Sequence, residues 1–347
     1  MIKVFINGYG NIGRRLADAL RADEDFQLVG IAKYTVDDKA KEAVERGFAM
    51  YVPDELMRTF AVAGYFPAGD VSKAVLNSDI VIDAAKEGVG FDNKIKLYEP
   101  LGKPAIFQGG EDRHGKRAVA SMIHNSRVNF AEASSKRYVI QGSCNVSGMG
   151  RIMKPLIEKY GDRIRRWDVS LIRRWADLED TKLVKDSVEW DRHPHHQDDV
   201  KDFIPKAHLY VDAFKVPSRM MHFHHMQIRF DGPAPSSDQI LGCYAGEFGI
   251  AILHSAKGTA DVRKKAIELG FAHGDTYMAH IHADVLRVQD DIVKIGYSDD
   301  QTGMVIPENH LLIQSMMMQR PRDDAIMRTD SLFRISKKRE ILEDEFK

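Results

Sequence analysis

The sequence predicts an α/β protein with a doubly wound parallel sheet, followed by an α+β domain with a mainly antiparallel sheet. Strand-like and helix-like segments alternate through the first part of the chain, and a glycine-rich turn directly follows the first strand. Further along, longer strands with alternating apolar residues follow one another without a regular helix. We expect domains at 1–140 and 141–300, with a helical region at 301–347 packing back on the first domain.

Composition limits the class of protein. The chain has 347 residues, 44% hydrophobic and 29% charged, which is enough for two domains with their own cores. A net charge of -1 argues against nucleic-acid or membrane-surface binding. Only Cys144 and Cys243 are cysteines, so we expect a reducing, cytoplasmic setting without disulfides. We expect neither a signal peptide nor a membrane span, since no apolar run approaches the ~18 residues that a span needs.

The first element is a strand at Ile2–Ile6, which leads into the turn GYGNIG and a helix. Gly8 allows the tight turn, Gly10 allows close approach of a pyrophosphate, and Gly13 allows close packing of the helix on the strand. This order of strand, glycines and helix predicts a Rossmann-type dinucleotide-binding loop; the alternative is a plain glycine-rich turn.

The second strand, Phe26–Ala32, is followed by Lys33. An acidic residue at this position would bind the ribose hydroxyls of NAD, whereas a lysine favours the 2′-phosphate of NADP. Lys33 is equally consistent with an ordinary solvated lysine. One lysine without further donors gives weak selectivity, so we expect use of both NAD and NADP with a modest NADP preference.

The alternation continues through the rest of this domain. We predict a helix at Asp37–Arg46, strands at Asp79–Ala85 and Pro104–Phe107, and a turn that contains Gly110. In a doubly wound sheet the ligand lies beyond the carboxyl ends of the strands. Gly110 and Cys144 both follow strands, so we expect them at the same edge.

Cys144 lies in the segment RYVIQGSCNVSGMG, between a strand and a helical pattern. A thiol at a helix N-terminus is stabilised as the thiolate, so Cys144 is a candidate nucleophile. The alternative is a small buried residue, the commoner fate of an isolated cysteine.

The second domain begins after the Cys144 helix. Strands are predicted at Arg166–Trp175, Ala207–Val216 and Met221–Asp231. In the last of these, the period of two places His222 and His224 on one face with apolar residues. The cluster His193-Pro194-His195-His196, which precedes Gln197-Asp198-Asp199, is predicted to be a loop.

The histidines permit a metal site, but none of the familiar short ligand spacings is present, and we expect no metal. Two further strands are predicted at His280–Val288 and Asp291–Tyr297, and Pro307 is expected to open a helix through Met318. Apolar positions in the charged tail predict that it packs against the body.

Seven motifs follow one another along the chain: INGYGNIGRR, QGGE, SCNVSG, LIRRWAD, the paired histidines, VPSRMMHFH and QTGMVIPEN. In this order they resemble the archaeal-type (class II) glyceraldehyde-3-phosphate dehydrogenases. The resemblance extends from Ile2 to about Met318.

The resemblance implies a phosphorylating oxidation of glyceraldehyde 3-phosphate to 1,3-bisphosphoglycerate, reversible and used in glycolysis or gluconeogenesis by a homotetramer. The catalytic cysteine forms a hemithioacetal and then a thioester, which inorganic phosphate cleaves. It implies these site residues: Cys144 as nucleophile; His222, or else His224, as general base; Ser143, Asn145, His195 and His196 at the substrate; and Asn11, Ile12, Gly110, Arg174 and Gln301 at the cofactor.

Some positions depart from the family pattern. Tyr34-Thr35-Val36 follows Lys33, Val146-Ser147 replaces the usual paired threonines, and Gln197-Asp198 replaces Gly-Pro beside the histidine pair. Two alternatives therefore stay open. One is a semialdehyde dehydrogenase of aspartate-semialdehyde type, with Arg173 or Arg219 binding a carboxylate. The other is a non-catalytic dinucleotide-binding regulatory protein.

Overall fold

The structure is a computed structural model that describes residues 1–347. The chain forms two compact units. The first comprises Met1–His124, Phe130–Ser143 and Glu308–Arg328, and the second comprises Asn125–Asn129, Cys144–Pro307 and Thr329–Lys347. No helix is both long and apolar enough to cross a membrane.

The first unit is built on an eight-stranded sheet in which every pairing is parallel. In chain order its strands are β1 Ile2–Asn7, β2 Phe26–Ala32, β3 Met50–Val52, β4 Gly69–Asp70, β5 Ile80–Asp83, β6 Ala105–Gln108, β7 Ile123–His124 and β8 Tyr138–Gln141. Across the sheet they follow the order β4-β3-β2-β1-β5-β6-β8-β7. The helices between them are α1 Asn11–Ala22, α2 Asp38–Glu45, α3 Met57–Val62, α4 Val71–Asn77 and α5 Gly90–Asn93, the last continued by a π-helical turn at Lys94–Tyr98. The predicted doubly wound parallel sheet is confirmed.

The second unit contains a seven-stranded mixed sheet. Its strands are β9 Ile164–Arg174, β10 Glu189–Asp191, β11 Leu209–Val216, β12 His222–Phe230, β13 Ile250–Leu253, β14 Ala279–Gln289 and β15 Ile292–Asp299. Its order is β10-β11-β9-β12-β15-β14-β13, in which β9–β11 and β13–β14 are parallel and the other pairs antiparallel. The remaining helices are α6 Cys144–Tyr160, α7 His196–Phe203, α8 Ser237–Leu241, α9 Thr259–Glu268, α10 Gln301–Ile313, α11 Arg322–Phe333 and α12 Ile335–Glu345. The mainly antiparallel second domain is confirmed.

Two local predictions are wrong. His196 and the residues after it form helix α7, because Asp198 and Asp199 in the first turn favour a helix N-terminus, and their N–H groups donate to the His195 carbonyl. Pro307 lies inside α10 and does not open it. The helix instead starts after Asp300, whose carbonyl accepts from Met304 N–H at 2.7 Å.

The C-terminal region also differs from the predicted boundary. Only Glu308–Arg328 belongs to the first unit, whereas Thr329–Lys347 belongs to the second. The cause is the packing of α12, where Ile335 and Leu342 are buried. Beside them Glu343 accepts from the Ile252 N–H at 2.9 Å.

Candidate active site

The glycine loop after β1 has the geometry of a phosphate-binding turn. Gly8 has a φ of +125°, and a Cβ there would lie 2.4 Å from the Ala84 carbonyl oxygen. At Gly13 a Cβ would lie 2.1 Å from the Gly8 carbonyl oxygen, so only glycine permits this approach of α1 to the turn. At Gly10 a Cβ would meet nothing within 4 Å, which leaves the space in front of the α1 N-terminus open to a ligand.

A cavity of about 610 Å³, a size that suits a small-molecule ligand, adjoins this loop. We call it the dinucleotide pocket. Its lining includes Gly8, Gly10 and Lys33 from the predicted set, while Asn11, Ile12, Gly13 and Gly110 lie outside it. Sequence reasoning missed the contributions of Tyr9, Lys39, Ala84, Ala85, Lys86 and Val89. For Ala84 and Ala85 the sequence does hold a signal, because they directly follow β5, which pairs with β1 in the sheet.

Three polar side chains of the dinucleotide pocket, those of Lys33, Tyr34 and Lys39, already have hydrogen-bond partners. Lys33 Nζ donates to both carboxylate oxygens of Asp37, at 2.7 and 2.8 Å. Tyr34 Oη donates to Asn7 Oδ1 at 2.6 Å, and Lys39 Nζ donates to Asn11 Oδ1 at 2.8 Å. The charge of Lys33 is therefore largely balanced by Asp37, which also caps α2 by accepting from the Ala40 N–H.

Cys144 is the first residue of α6 and follows the turn after β8, as predicted. Its surroundings, however, favour the thiol. Burial raises the pKa of the Cys144 thiol to about 12; Asp299 and Asp177 act in the same direction, while the Arg174 guanidinium opposes them. Burial therefore opposes the helix N-terminus and disfavours the thiolate in the free protein, and the activated thiolate stays a prediction.

Asn145 joins two of the predicted histidines. Its Oδ1 lies 3.2 Å from His224 Nε2, and its Nδ2 lies 3.4 Å from His196 Nε2. Both histidines are buried, as is Asn145. Since an amide oxygen accepts and an amide nitrogen donates, His224 carries its proton on Nε2 and His196 accepts at Nε2.

His224 is held from both sides. Tyr297 Oη lies 2.7 Å from its Nδ1, and Asp299 Oδ2 lies 3.0 Å from its Nε2. Asp299 is completely buried, and burial raises its pKa. Sequence reasoning missed both Tyr297 and Asp299, which belong to β15, the neighbour of β12 in the sheet.

His222 faces a different environment. The Arg174 backbone N–H donates to His222 Nδ1 at 3.2 Å, which fixes the neutral tautomer with its proton on Nε2. Burial, and then the charge of Arg174, lowers the pKa of His222 well below its usual value. His222 is thus neutral at physiological pH. One of its ring nitrogens takes part in a hydrogen bond, whereas both ring nitrogens of His224 do so.

The histidine pair lies at the start of α7. The His195 and His196 rings stack with centroids 4.2 Å apart. His195 is half exposed, and its Nδ1 lies 2.6 Å from Asp199 Oδ2. The acidic partner is therefore Asp199, one turn along the helix. His196 is buried, and burial lowers its pKa well below the usual value.

The arginines of this unit are committed to local partners. Arg174, expected at the cofactor, binds Asp177 through Nε at 2.9 Å. Arg219 donates to three backbone carbonyls, and Arg173 lies 3.2 Å from Asp191.

Gln301 is buried in the first turn of α10, with Oε1 3.4 Å from Arg263 Nη2. Ser143, the last residue of its segment of the first unit, packs closely on Gly109.

These contacts do not favour the semialdehyde alternative. That alternative needs an arginine to bind the substrate carboxylate, and the Arg219 guanidinium already donates to backbone carbonyls. Nor are three or more His, Cys, Asp or Glu side chains arranged to hold a metal ion.

A dinucleotide-type parallel sheet, together with a cysteine whose neighbour Asn145 contacts two buried histidines, is typical of one class, the nicotinamide-dependent aldehyde dehydrogenases that use a cysteine. No family model matches the chain. The chain is 34% identical to a glyceraldehyde-3-phosphate dehydrogenase of Pyrobaculum calidifontis, over 96% of this chain and 98% of that protein. It is 31% identical to one of Sulfolobus acidocaldarius, over 97% and 98%. It is 32% identical to one of Halobacterium salinarum, over 89% and 92%.

The chain therefore belongs to the archaeal-type glyceraldehyde-3-phosphate dehydrogenase family.

Proposed function

We propose that this protein catalyses the reversible, phosphorylating oxidation of glyceraldehyde 3-phosphate to 1,3-bisphosphoglycerate with NADP or NAD. The observation that carries the proposal is the cluster at the start of α6, where Cys144 precedes Asn145, and Asn145 contacts His196 and His224. Family membership supports the substrate. A cytoplasmic homotetramer is part of the proposal, supported by the resemblance to the family and by two free cysteines.

The residues that would hold the dinucleotide fit that group. The open space at Gly10 and the α1 N-terminus suit a pyrophosphate, and Tyr34, Ala84 and Ala85 line the adjoining pocket. When bound, a nicotinamide dinucleotide supplies the hydride acceptor. Gly110, Arg174 and Gln301 are included as proposed cofactor residues on the strength of the resemblance alone.

In the proposed mechanism the Cys144 sulfur bonds to the aldehyde carbon as the thiol proton passes to solvent, and the electrons of the carbonyl double bond move to the oxygen, which becomes an alkoxide. His222 donates a hydrogen bond from Nε2 to that oxygen, which is the role its tautomer supports. After oxidation the product is a thioester. Phosphate oxygen then bonds to the acyl carbon, the carbon–sulfur bond breaks, and the Cys144 sulfur is released. His195, His196 and Ser143 are proposed to bind the substrate and phosphate.

The role of His222 as general base stays a prediction. To accept a proton at Nε2 the ring would have to move its own proton to Nδ1 and lose the hydrogen bond from Arg174 N–H. His224 is the weaker candidate, because both of its nitrogens are engaged. We expect His222→Asn to lower the rate of acylation by roughly 10²-fold or more. His195→Asn should mainly raise the KM for substrate or phosphate.

The test of the function is an aldehyde panel assayed with and without phosphate, against NAD and NADP. We expect glyceraldehyde 3-phosphate to be the preferred substrate, with turnover that needs phosphate. Preference for aspartate semialdehyde would overturn the substrate assignment, and absence of turnover with every aldehyde would favour the non-catalytic alternative. Stoichiometric zinc or iron, with loss of activity on chelation, would overturn the metal-free mechanism.

A further inference from the structure

A second cavity of the first unit shares no residue with the dinucleotide pocket. It has a volume of about 410 Å³ and lies where β8 begins. We call it the basic pocket, because four of its lining residues are cations and none is a carboxylate. The cations and the hydroxyl side chains of its lining are Lys94, Arg113, Lys136, Arg137, Ser121 and Ser135.

The cations of the basic pocket come from separate parts of the chain. Lys94 begins the π-helical turn after α5, Arg113 lies in the loop after β6, and Lys136 and Arg137 immediately precede β8. The fold therefore places four cationic side chains in the lining of one pocket, and together they attract an anion.

Tyr138 contacts two of these cations through the face of its ring. Lys94 Nζ is 5.0 Å from the centre of its ring, and Arg137 Cζ is 5.5 Å from it. The Lys94 side chain is only 15% exposed, and its Nζ donates to the Ala118 carbonyl at 3.2 Å. Its nearest carboxylate is Glu99 at 3.7 Å, outside the pocket lining. Lys94 is thus held in place, while Lys136 and Arg137 are exposed at the rim.

This combination matches one ligand chemistry. Arginine forks bind two phosphate oxygens at once, lysines bind phosphate as point charges, and serine hydroxyls donate to the remaining oxygens. The volume falls within the range of small-molecule sites. We propose that the basic pocket binds a small molecule that carries two or more phosphate groups, at a site separate from the catalytic centre.

The test measures ligand binding by calorimetry at fixed ionic strength, with the dinucleotide pocket saturated by NADP. The probes are inorganic pyrophosphate and ATP, which distinguish recognition of phosphates alone from recognition of a nucleotide. Wild-type protein is compared with a pocket variant, Lys136→Glu with Arg137→Glu. The matched control is Lys96→Glu with Lys116→Glu, which makes the same change of charge at exposed residues outside the pocket.

We expect saturable binding of at least one probe to the wild type and to the control. The pocket variant should bind at least about tenfold more weakly, because two attractive charges become repulsive. Turnover and the thermal midpoint verify that both variants are folded, since both replace exposed residues. Absence of saturable binding to wild-type protein would overturn the proposal. Equal weakening in both variants would do the same, because it would mean that only the overall charge matters.

Discussion

At the scale of single residues, the Cys144 sulfur determines how the site depends on pH. With the pKa of its thiol raised to about 12, the thiolate fraction in the free protein rises about tenfold per pH unit through the neutral range. We expect the rate of Cys144 alkylation by iodoacetamide to follow the same slope between pH 7 and 10. Peptide mass spectrometry measures it.

Cys243 is the internal comparison for that experiment. Its sulfur donates to the Gln239 carbonyl at 3.3 Å, and burial also raises the pKa of this thiol. Alkylation of Cys144 should abolish turnover, and Cys144→Ser should be inactive. A Cys144 alkylation rate that is already constant at pH 7 would contradict the raised pKa, and full activity of Cys144→Ser would exclude the covalent mechanism.

Asp299 has two separable effects on the site. Its charge raises the pKa of Cys144, and its Oδ2 positions His224 at 3.0 Å. In Asp299→Asn, we expect the pKa of the Cys144 thiol to fall, so that alkylation at neutral pH becomes faster, while kcat decreases. The exposed Asp162→Asn is the matched control. Slower turnover with unchanged alkylation would show that Asp299 acts through His224 and does not raise the pKa of Cys144.

At the scale of elements, the loop from β2 to α2 controls the cofactor preference that we propose. Lys33 is held by Asp37, so its attraction for a 2′-phosphate is weaker than that of a free lysine. We expect a preference for NADP of at most about tenfold, since each 1.4 kcal/mol is a factor of ten. Lys33→Asp should reverse it by adding repulsion.

Asp37→Asn tests the same loop in the opposite direction. An asparagine can still cap α2, but it releases the charge of Lys33. The ratio of kcat/KM for NADP and NAD should therefore rise above that of the wild type. A ratio that neither substitution alters would place Lys33 outside the adenosine ribose site.

Local patterns predicted these elements, and long-range contacts account for the failures. The period of two in β12 correctly predicted that His222 and His224 share a buried face. The α10 start was misjudged, because it depends on Asp300, whose carboxylate accepts from the Thr276 N–H at 2.6 Å and from Arg263. Contacts between such distant residues leave no local pattern in the sequence. For the same reason the role of Asp299, the residue before Asp300, could not be predicted from the sequence.

At the scale of the whole molecule, the chain returns to the first unit after completing most of the second. The returning segment is anchored by Asp23, whose side chain is completely buried. His310 Nε2 lies 2.7 Å from Asp23 Oδ2, and Arg328 pairs with the other oxygen. Asp23 directly follows α1, and His310 lies 287 positions later in the chain. The stability of the first unit therefore depends on the C-terminal region.

The anchor makes the first unit sensitive to acid. Burial alone would raise the pKa of Asp23, but hydrogen bonds from His310 and Arg328 lower it well below the usual value. A carboxylate with a lowered pKa stabilises the fold above its unfolded pKa of ~3.9, and this stability is lost as the pH falls below that value. Burial also lowers the pKa of His310, so protonation in the unfolded chain removes further stability below pH ~6.5.

Replacing Asp23 by Asn should therefore remove roughly 3 kcal/mol of stability at pH 7, because Arg328 and His310 lose their buried partner. The loss should shrink as the pH falls below ~4, where Asp23 of the unfolded wild type becomes protonated and its carboxylate contributes less to stability. The measurement is the thermal midpoint of both proteins at pH 7, 5 and 3.5. Asp25→Asn is the matched control, since Asp25 binds Arg320 and Arg328 but is 31% exposed, and a pair of that kind contributes only ~0.2–1 kcal/mol. Equal losses of stability in the two variants would mean that burial of Asp23 adds nothing. A loss of stability in Asp23→Asn that does not depend on pH would mean that the charge of Asp23 is not what holds the returning segment.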